Sequence, residues 1–348
     1  TSPIRTSLSK PPIFNPYQYD EQGNQLAILD DVDELETSNP VAVLEKYRGE
    51  NKNYRFISSI KTQADISNSL KWNSLFGLNF NTLKEFVFLP NIGIDTYFDG
   101  EANNVSQSTY NYLFSLYNDN YLNFNKQYNA IHDINSSIGF RVYTNTLQID
   151  MGQAMNLPDN DEYTRLQEGQ DDLRRIGGVN GIWNWMSFYN VINYKFKDKY
   201  IFNTGLSADF STRTGDEAKT AFHILDLPFG LFYSVGAGWR LSQEAFLNQF
   251  PSLENLMLRV SYGMTGNDDI GNYNALSYYE LVRYGETSGL IPGSIANKSL
   301  KYENTHQFDA GLDLSLWGSR TRFTVNYYYT NTRDVLIYEP QKSYMGYN

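Results

Sequence analysis

The side chains that could do covalent or metal chemistry are few and poorly spaced for it. His132, His223 and His306 are the only histidines, and none stands in an H-E-x-x-H or comparable pattern that would bring two ring nitrogens to one metal. Cysteine is absent, which removes disulfides, thiolate zinc sites and cysteine nucleophiles together. No G-x-S-x-G elbow is present to present a serine for attack. Two acidic runs, Asp30-Asp31-Val32-Asp33-Glu34 and Asp159-Asn160-Asp161-Glu162, offer hard oxygen ligands of the kind calcium takes. Neither has the glycine at the sixth place and glutamate at the twelfth that an EF-hand loop needs, so both read as solvated acidic loops. Gly263, Gly266 and Gly271 miss the phosphate-cradle spacing, and Gly266-Asn267 reads as a turn leaving a strand. No catalytic residue, cofactor or metal site is expected.

Noncovalent recognition is a better match. Residues 265–303 carry Tyr273, Tyr278, Tyr279, Arg283 and Tyr284 beside Asn272 and Asn274. Ring faces stack on sugars or peptide side chains, and amides direct hydrogen bonds, as pocket specificity requires. For any one of these tyrosines the plainer reading is preferred, in which it packs its loop, a partner protein or a membrane interface.

The elements that must position such residues show one dominant pattern, alternation. Tyr200, Phe202, Leu206 and Ala208 alternate with Lys199, Asn203, Gly205, Ser207 and Asp209. Leu231, Tyr233, Val235, Ala237, Trp239 and Leu241 alternate with Ser234, Gly236, Gly238 and Arg240. The same rule holds for Leu70–Phe80, Leu256–Met264, Phe308–Leu316 and Phe323–Tyr329. Successive strand side chains point to opposite faces, so each segment has a greasy side and a wet one.

About ten strands are predicted, near 54–63, 69–80, 118–130, 136–150, 183–196, 199–210, 229–240, 256–264, 304–316 and 321–338. Most exceed the five or six residues usual in soluble sheets and approach the length of a tilted strand that crosses a bilayer. Tight turns near 197–198 and 317–320 alternate with long insertions at 81–118, 151–182, 211–228 and 265–303. Residues 1–53 read mainly as irregular loop, and 241–255 as an intermediate connection with a short helical start at Ser242. Short turns on one rim and long loops on the other are the layout of an outer-membrane barrel. Trp183, Trp185, Tyr189, Trp239, Trp317 and Tyr327-Tyr328-Tyr329 fall in or at the ends of strands, as interfacial aromatics do. The fold class expected is all-β, part of a large antiparallel transmembrane β-barrel.

Composition agrees. The 348 residues are 16% aromatic and only 19% charged, too aromatic for a disordered chain. A formal charge of −11 argues against a general nucleic-acid binder, which needs a basic face. Mean hydropathy is −0.50, and no apolar run approaches the length of a membrane helix, a test that does not touch β-barrels.

Several stretches form one ordered set. They are Asn39-Pro40-Val41-Ala42, the Asp198-Lys199-Tyr200 turn, Gly238-Trp239-Arg240-Leu241-Ser242-Gln243-Glu244-Ala245-Phe246-Leu247, and Leu256 through Asn267 followed by Ile270-Gly271-Asn272-Tyr273. Glu303-Asn304-Thr305-His306-Gln307-Phe308 before Gly311-Leu312-Asp313, and Asn326-Tyr327-Tyr328 before Thr332-Arg333-Asp334, complete it over residues 39–337. Together they resemble the SusC/RagA family of TonB-dependent outer-membrane transporters. Where the family usually carries an Arg-x-Asp-Gly-Ser-Ser-like run, this chain has Ala208-Asp209-Phe210-Ser211-Thr212-Arg213. The resemblance implies a barrel of about 22 strands around a plug, so residues 1–348 would be a partial barrel domain, without plug or TonB box. It also implies nutrient import in the cell outer membrane of a Gram-negative bacterium, of an oligosaccharide or a peptide. The implied partners are a SusD-like lipoprotein, TonB, and a second SusC-SusD pair in a homodimer, with lipid and lipopolysaccharide around the barrel. Lys71, Asn73, Asn79, Asn203, Asp209, Arg259, Asp309, Asp313, Arg322 and Asn326 would line the interior. The competing readings are a secreted or surface β-sandwich that binds glycan in adhesion, and a passive porin or structural barrel of an envelope complex.

Overall fold

The computed structural model describes residues 3–94, 104–158, 164–218, 222–224, 226–284 and 287–338. The acidic run at 159–162 therefore lies outside the described residues. In chain order the elements begin with α1 (Pro3–Ser9), β1 (Tyr17–Tyr19), β2 (Gln25–Leu29), α2 (Pro40–Glu45), β3 (Arg48–Asp65), β4 (Leu70–Leu89) and β5 (Val105–Tyr128). They continue with β6 (His132–Ala154), β7 (Arg175–Phe196), β8 (Tyr200–Ser211), β9 (Phe222–Ile224), β10 (Leu227–Arg240) and β11 (Leu253–Asn267). The chain closes with β12 (Tyr278–Tyr284), β13 (Thr287–Ser294), β14 (Glu303–Leu316) and β15 (Thr321–Arg333).

Ten of these strands form one meandering sheet in the order β15-β14-β11-β10-β8-β7-β6-β5-β4-β3, with β9 attached to β10. The registers that run from β7 to β15 carry one parity across six strands. Phe188 faces Ala208, Val235 faces Tyr262, Ala237 faces both Phe202 and Val260, and Val260 faces Ala310, which faces Tyr327. The other parity is mostly polar or glycine: Ser187 to Asp209, Gly236 to Asn203 and to Ser261, Ser261 to Asp309, Gly311 to Asn326 and Asp313 to Thr324. A one-residue slip anywhere would invert the faces, so the shared register is strongly specified.

The apolar parity is uncovered. Leu206 is 49%, Val260 45% and Val325 64% exposed, and Phe202, Tyr233, Trp239, Leu258 and Tyr327 stand beside them. No second sheet lies on this face among the described residues, which removes the β-sandwich alternative. A greasy surface this continuous exceeds what a water-soluble monomer carries and suits hydrocarbon. No described helix is long and apolar enough to cross a membrane, and strands do so in a barrel.

The connections alternate as expected. In the β7–β8 turn Lys197 and Asp198 both take positive φ, 51° and 56°, and the Lys199 amide donates to the Phe196 carbonyl at 3.0 Å. That is the handedness a two-residue hairpin needs to follow strand twist. Asn129 and Ala130, at 50° and 56°, turn β5 into β6, and Trp317, Gly318 and Ser319 do so between β14 and β15. Two single 3₁₀ turns, Leu241–Gln243 and Ala245–Leu247, occupy the β10–β11 connection.

Three sequence expectations need correction. Much of the 81–118 and 151–182 insertions is strand, because β4 to β7 run 20, 24, 23 and 22 residues. At roughly 3.3 Å per residue the longest spans about 80 Å, far more than a bilayer's hydrocarbon needs. Within 265–303 the chain builds the β12–β13 hairpin. Residues 1–53 are not mainly irregular. Asn39 caps α2, accepting the Val41 amide at 3.0 Å, and its side-chain amide donates to the carbonyls of Pro16 (2.8 Å) and Asp30 (2.9 Å).

The chain divides into two compact units. One holds Thr1–Ile57, Asn79–Phe114 and Thr146–Gly181, and its small cores are Leu29, Ala42, Val43 and Ile94, then Phe88, Ala154 and Leu157. The other holds Ser58–Leu78, Ser115–Asn145 and Ile182–Asn348, with a cluster of Ile270, Ala275 and Leu300.

Candidate functional site

Within the second unit, on the polar face near the ends of the strands away from the tight turns, a cavity of about 520 Å³ opens. β5 contributes Tyr117, β6 Tyr143, β7 Trp183 and Trp185, β8 Asp209 and β10 Phe232. Gly266 at the end of β11, Asp268 just beyond it and Tyr302 just before β14 complete the lining. Alternation puts Trp183, Trp185 and Asp209 on one side of the sheet, and the long loops fold over to add Asp268 and Tyr302.

Hydrogen bonds fix most of these groups. Ser187 Oγ donates to Asp209 Oδ1 at 2.6 Å, and Tyr302 Oη donates to the Asp209 carbonyl at 3.3 Å. Trp183 Nε1 donates to Ser211 Oγ at 3.0 Å, and Ser211 Oγ in turn donates to Asp268. Arg213 lies 4.5 Å over the Trp183 ring, reaches Asp269 at 3.2 Å and Asp268 at 3.8 Å, and donates through Nε to Asn272 at 3.0 Å. Tyr143 meets Trp183 edge-on at 5.2 Å, and Phe232 meets Tyr302 the same way at 5.3 Å. Burial pushes the Tyr302 phenol upward, and the negative charges of Asp268 and Asp209 add to it, so it stays a neutral donor.

Deeper on the same face, Asp119 accepts Tyr189 Oη at 2.8 Å and Arg141 Nε at 3.2 Å, with the guanidinium 4.0 Å over the Tyr189 ring. Further along, Arg259 grips Asp313 with two nitrogens, Nε at 2.6 Å and Nη2 at 3.2 Å, and reaches Asn326 at 3.1 Å. Asn203, Asp209, Arg259, Asp309, Asp313, Arg322 and Asn326 thus share the polar face that the alternation assigned them.

Of the five loop residues singled out by sequence, Tyr273, Tyr278 and Tyr279 are not among those that line this cavity. The Tyr273 hydroxyl accepts the Ile182 amide at 3.1 Å, next along the chain to Trp183. Tyr278 and Tyr279 open β12, and Tyr279 is largely exposed. Arg283 and Tyr284 end that strand, and their side chains lie outside the described residues. Of the aromatics expected at a membrane interface, Trp183, Trp185 and Tyr189 instead line cavities on the polar face. Trp239, Tyr327 and Tyr329 lie on the apolar parity. Tyr200 stacks on Trp239 at 6.3 Å and on Phe196 at 6.2 Å, and His132 stacks on Tyr194 at 6.0 Å. His132 and His306 are spent on tyrosine hydroxyls, at 2.8 Å to Tyr194 and 2.9 Å to Tyr262. No metal-ligating cluster occurs among the described residues.

A sheet greasy outside and wet inside, with turns short at one end and long at the other, defines the wall of an outer-membrane β-barrel. The chain belongs to the TonB dependent receptor-like, beta-barrel family, whose model matches residues 8–348. TonB-dependent receptors are transporters of the Gram-negative outer membrane and not enzymes. Among relatives, TonB-dependent receptor P26 of Formosa agariphila is 27% identical over 340 residues, covering 95% of this chain and 33% of the relative. TonB-dependent receptor P39 of the same organism is 25% identical over 89% of this chain and 29% of its own length. TonB-dependent receptor SusC of Bacteroides thetaiotaomicron is 26% identical, covering 80% of this chain and 29% of SusC. The structure of the RagAB peptide transporter superposes with a TM-score of 0.75 at 20% identity, over 92% of this chain and 35% of that one. The chain therefore spans about a third of the length of the proteins it matches.

Proposed function

We propose that this chain forms part of the wall of a TonB-dependent importer that brings an oligosaccharide or a peptide across the outer membrane. The observation that carries the reading is the division of six paired strands, in one shared register, into an exposed, mainly apolar face and a mainly polar face. Lipid takes the first and a wet lumen the second. In this reading residues 1–348 are all barrel wall and loops, and the plug and TonB box belong to other parts of the full-length receptor. A SusD-like lipoprotein covers the long-loop end, and two such pairs associate as a homodimer. Likeness to SusC and to the RagAB transporter supports the lipoprotein partner. Tyr273, Tyr278, Tyr279, Arg283 and Tyr284 are assigned to contact with substrate or lipoprotein.

The test is uptake by cells carrying the full-length receptor, with and without TonB, and with and without the adjacent lipoprotein gene. Saturable uptake lost in both deletions is the expected result. Uptake indifferent to TonB would replace the importer with a passive porin.

A further inference from the structure

Among the described residues Asp209 has no lysine or arginine within ion-pairing distance; its side chain is held by the hydroxyls of Ser187 and Ser207. Its neighbour across the cavity, Asp268, shares Arg213 with Asp269, and Arg213 is further tied to Asn272 and stacked on Trp183. Arg141, whose charge also reaches Asp209, is engaged directly by Asp119. The cavity thus holds more negative charge than its own arginines balance, inside a ring of Tyr117, Tyr143, Trp183, Trp185, Phe232 and Tyr302. Carboxylates remote from bulk water are costly without a counter-charge, and ring faces attract cations.

We infer that this cavity receives a cationic group of the imported solute, an ammonium or guanidinium, which docks on Asp209 and Asp268 between the aromatic rings. The inference rests on the importer reading and narrows it, since a neutral sugar would bring no counter-charge to Asp209 and Asp268. The shared chemistry has two sources, a lysine or arginine side chain of a peptide and the free amine of an amino sugar.

The experiment uses the full-length receptor with its lipoprotein and four probes: trilysine, trialanine, the glucosamine trimer and maltotriose. Titration at low and high salt is compared for the native protein and for Asp209→Asn and Asp268→Asn. The expected result is preference for trilysine or the glucosamine trimer over its neutral counterpart, weakened by salt and reduced about tenfold in Asp209→Asn. The two cationic probes tell peptide from amino sugar. Equal binding of charged and neutral probes, or unchanged affinity in both variants, overturns the inference. Heat-modifiable migration of each variant confirms folding, so loss of binding by a misfolded barrel is recognised. TonB-dependent uptake of a neutral probe unaffected by Asp209→Asn sinks the cationic preference and leaves import standing. Uptake of every probe independent of TonB sinks the importer reading itself.

Discussion

At the scale of single residues the hydrogen bonds of one connection and the fit of one glycine carry consequences that can be measured. Glu244, in the β10–β11 connection, accepts Trp239 Nε1 at 3.1 Å, Tyr200 Oη at 2.8 Å and Lys199 Nζ at 3.3 Å. These bonds, that from Trp239 first, hold its carboxyl below the ordinary glutamate range despite partial desolvation. A depressed folded-state value means the latch contributes fully above the unfolded value of about 4.3 and is lost as pH falls through the lower folded value. Hydrogen exchange across 241–252 in the full-length receptor should therefore rise between pH 5 and pH 3, and Glu244→Gln should remove that pH dependence. Identical exchange at both pH values, once intrinsic rates are divided out, would contradict the latch. Gly215 makes a stricter demand. A Cβ there would sit 2.1 Å from the Lys298 carbonyl oxygen, and backbone cannot rotate aside as a side chain can. The Gly215 amide donates to Leu300 O at 2.8 Å and the Glu217 amide to Lys298 O at 2.9 Å, so this contact holds the segment that carries Tyr302 over the cavity. Gly215→Ala should cost about 1–3 kcal/mol as overpacking does. Faster exchange at the Glu217 amide with unchanged barrel migration is the expected signature. The cavity was only half legible from sequence: Asp209 was placed on the polar face by parity, but Trp183 and Trp185 gave no sign of which face they served. Asp268 and Tyr302 join it only through loop folding, which has no period to read.

At the scale of elements, alternation was informative where one face meets hydrocarbon and silent where it does not. The stretches 200–211, 231–240, 256–264, 308–316 and 323–329 were readable because every second residue must be apolar. The outer parts of β4 and β5 were not. Asn81, Thr82, Lys84 and Glu85 lie in β4, and Ser106, Gln107, Ser108 and Thr109 in β5, so strand this polar looks like loop. The same physics gives a paired prediction at adjacent residues. Val260 stands mid-strand on the apolar face between Ala237 and Ala310, and Ser261 on the polar face between Gly236 and Asp309. Val260→Arg in the full-length receptor should destabilise folding into lipid vesicles by about 2–4 kcal/mol, the midplane cost of a cation against lipid. Ser261→Arg, one residue on, should cost well under half of that. Denaturant unfolding from vesicles measures both. Equal costs would mean that the two faces are not lipid and water.

At the scale of the whole molecule the decisive feature is what the sheet does at its borders. β15 and β3 end the strand order, and no pairing joins them among the described residues. Each border presents a row of N–H and C=O groups, and a bilayer offers no water to satisfy them. Several kcal/mol per unpaired group, over the roughly five outward-facing pairs of a membrane-crossing strand, comes to tens of kcal/mol for each border. Burial of the apolar face in lipid cannot offset a penalty of that size without partners for both strands. The relatives are about three times as long as this chain, and they contain chain enough to supply those partners. Residues 1–348 produced alone and offered to detergent micelles or vesicles should accordingly stay unfolded, with the same gel migration heated or unheated. The full-length receptor under the same conditions should show the faster unheated band of a closed barrel. Expressing the 348 residues together with the remainder of the receptor as a separate polypeptide should restore that band, because closure requires the strands and not the peptide bond between them. A heat-modifiable, pore-forming product from the 348 residues by themselves would mean that β3 and β15 close on each other. The wall described here would then be a complete small barrel instead of an arc of a larger one.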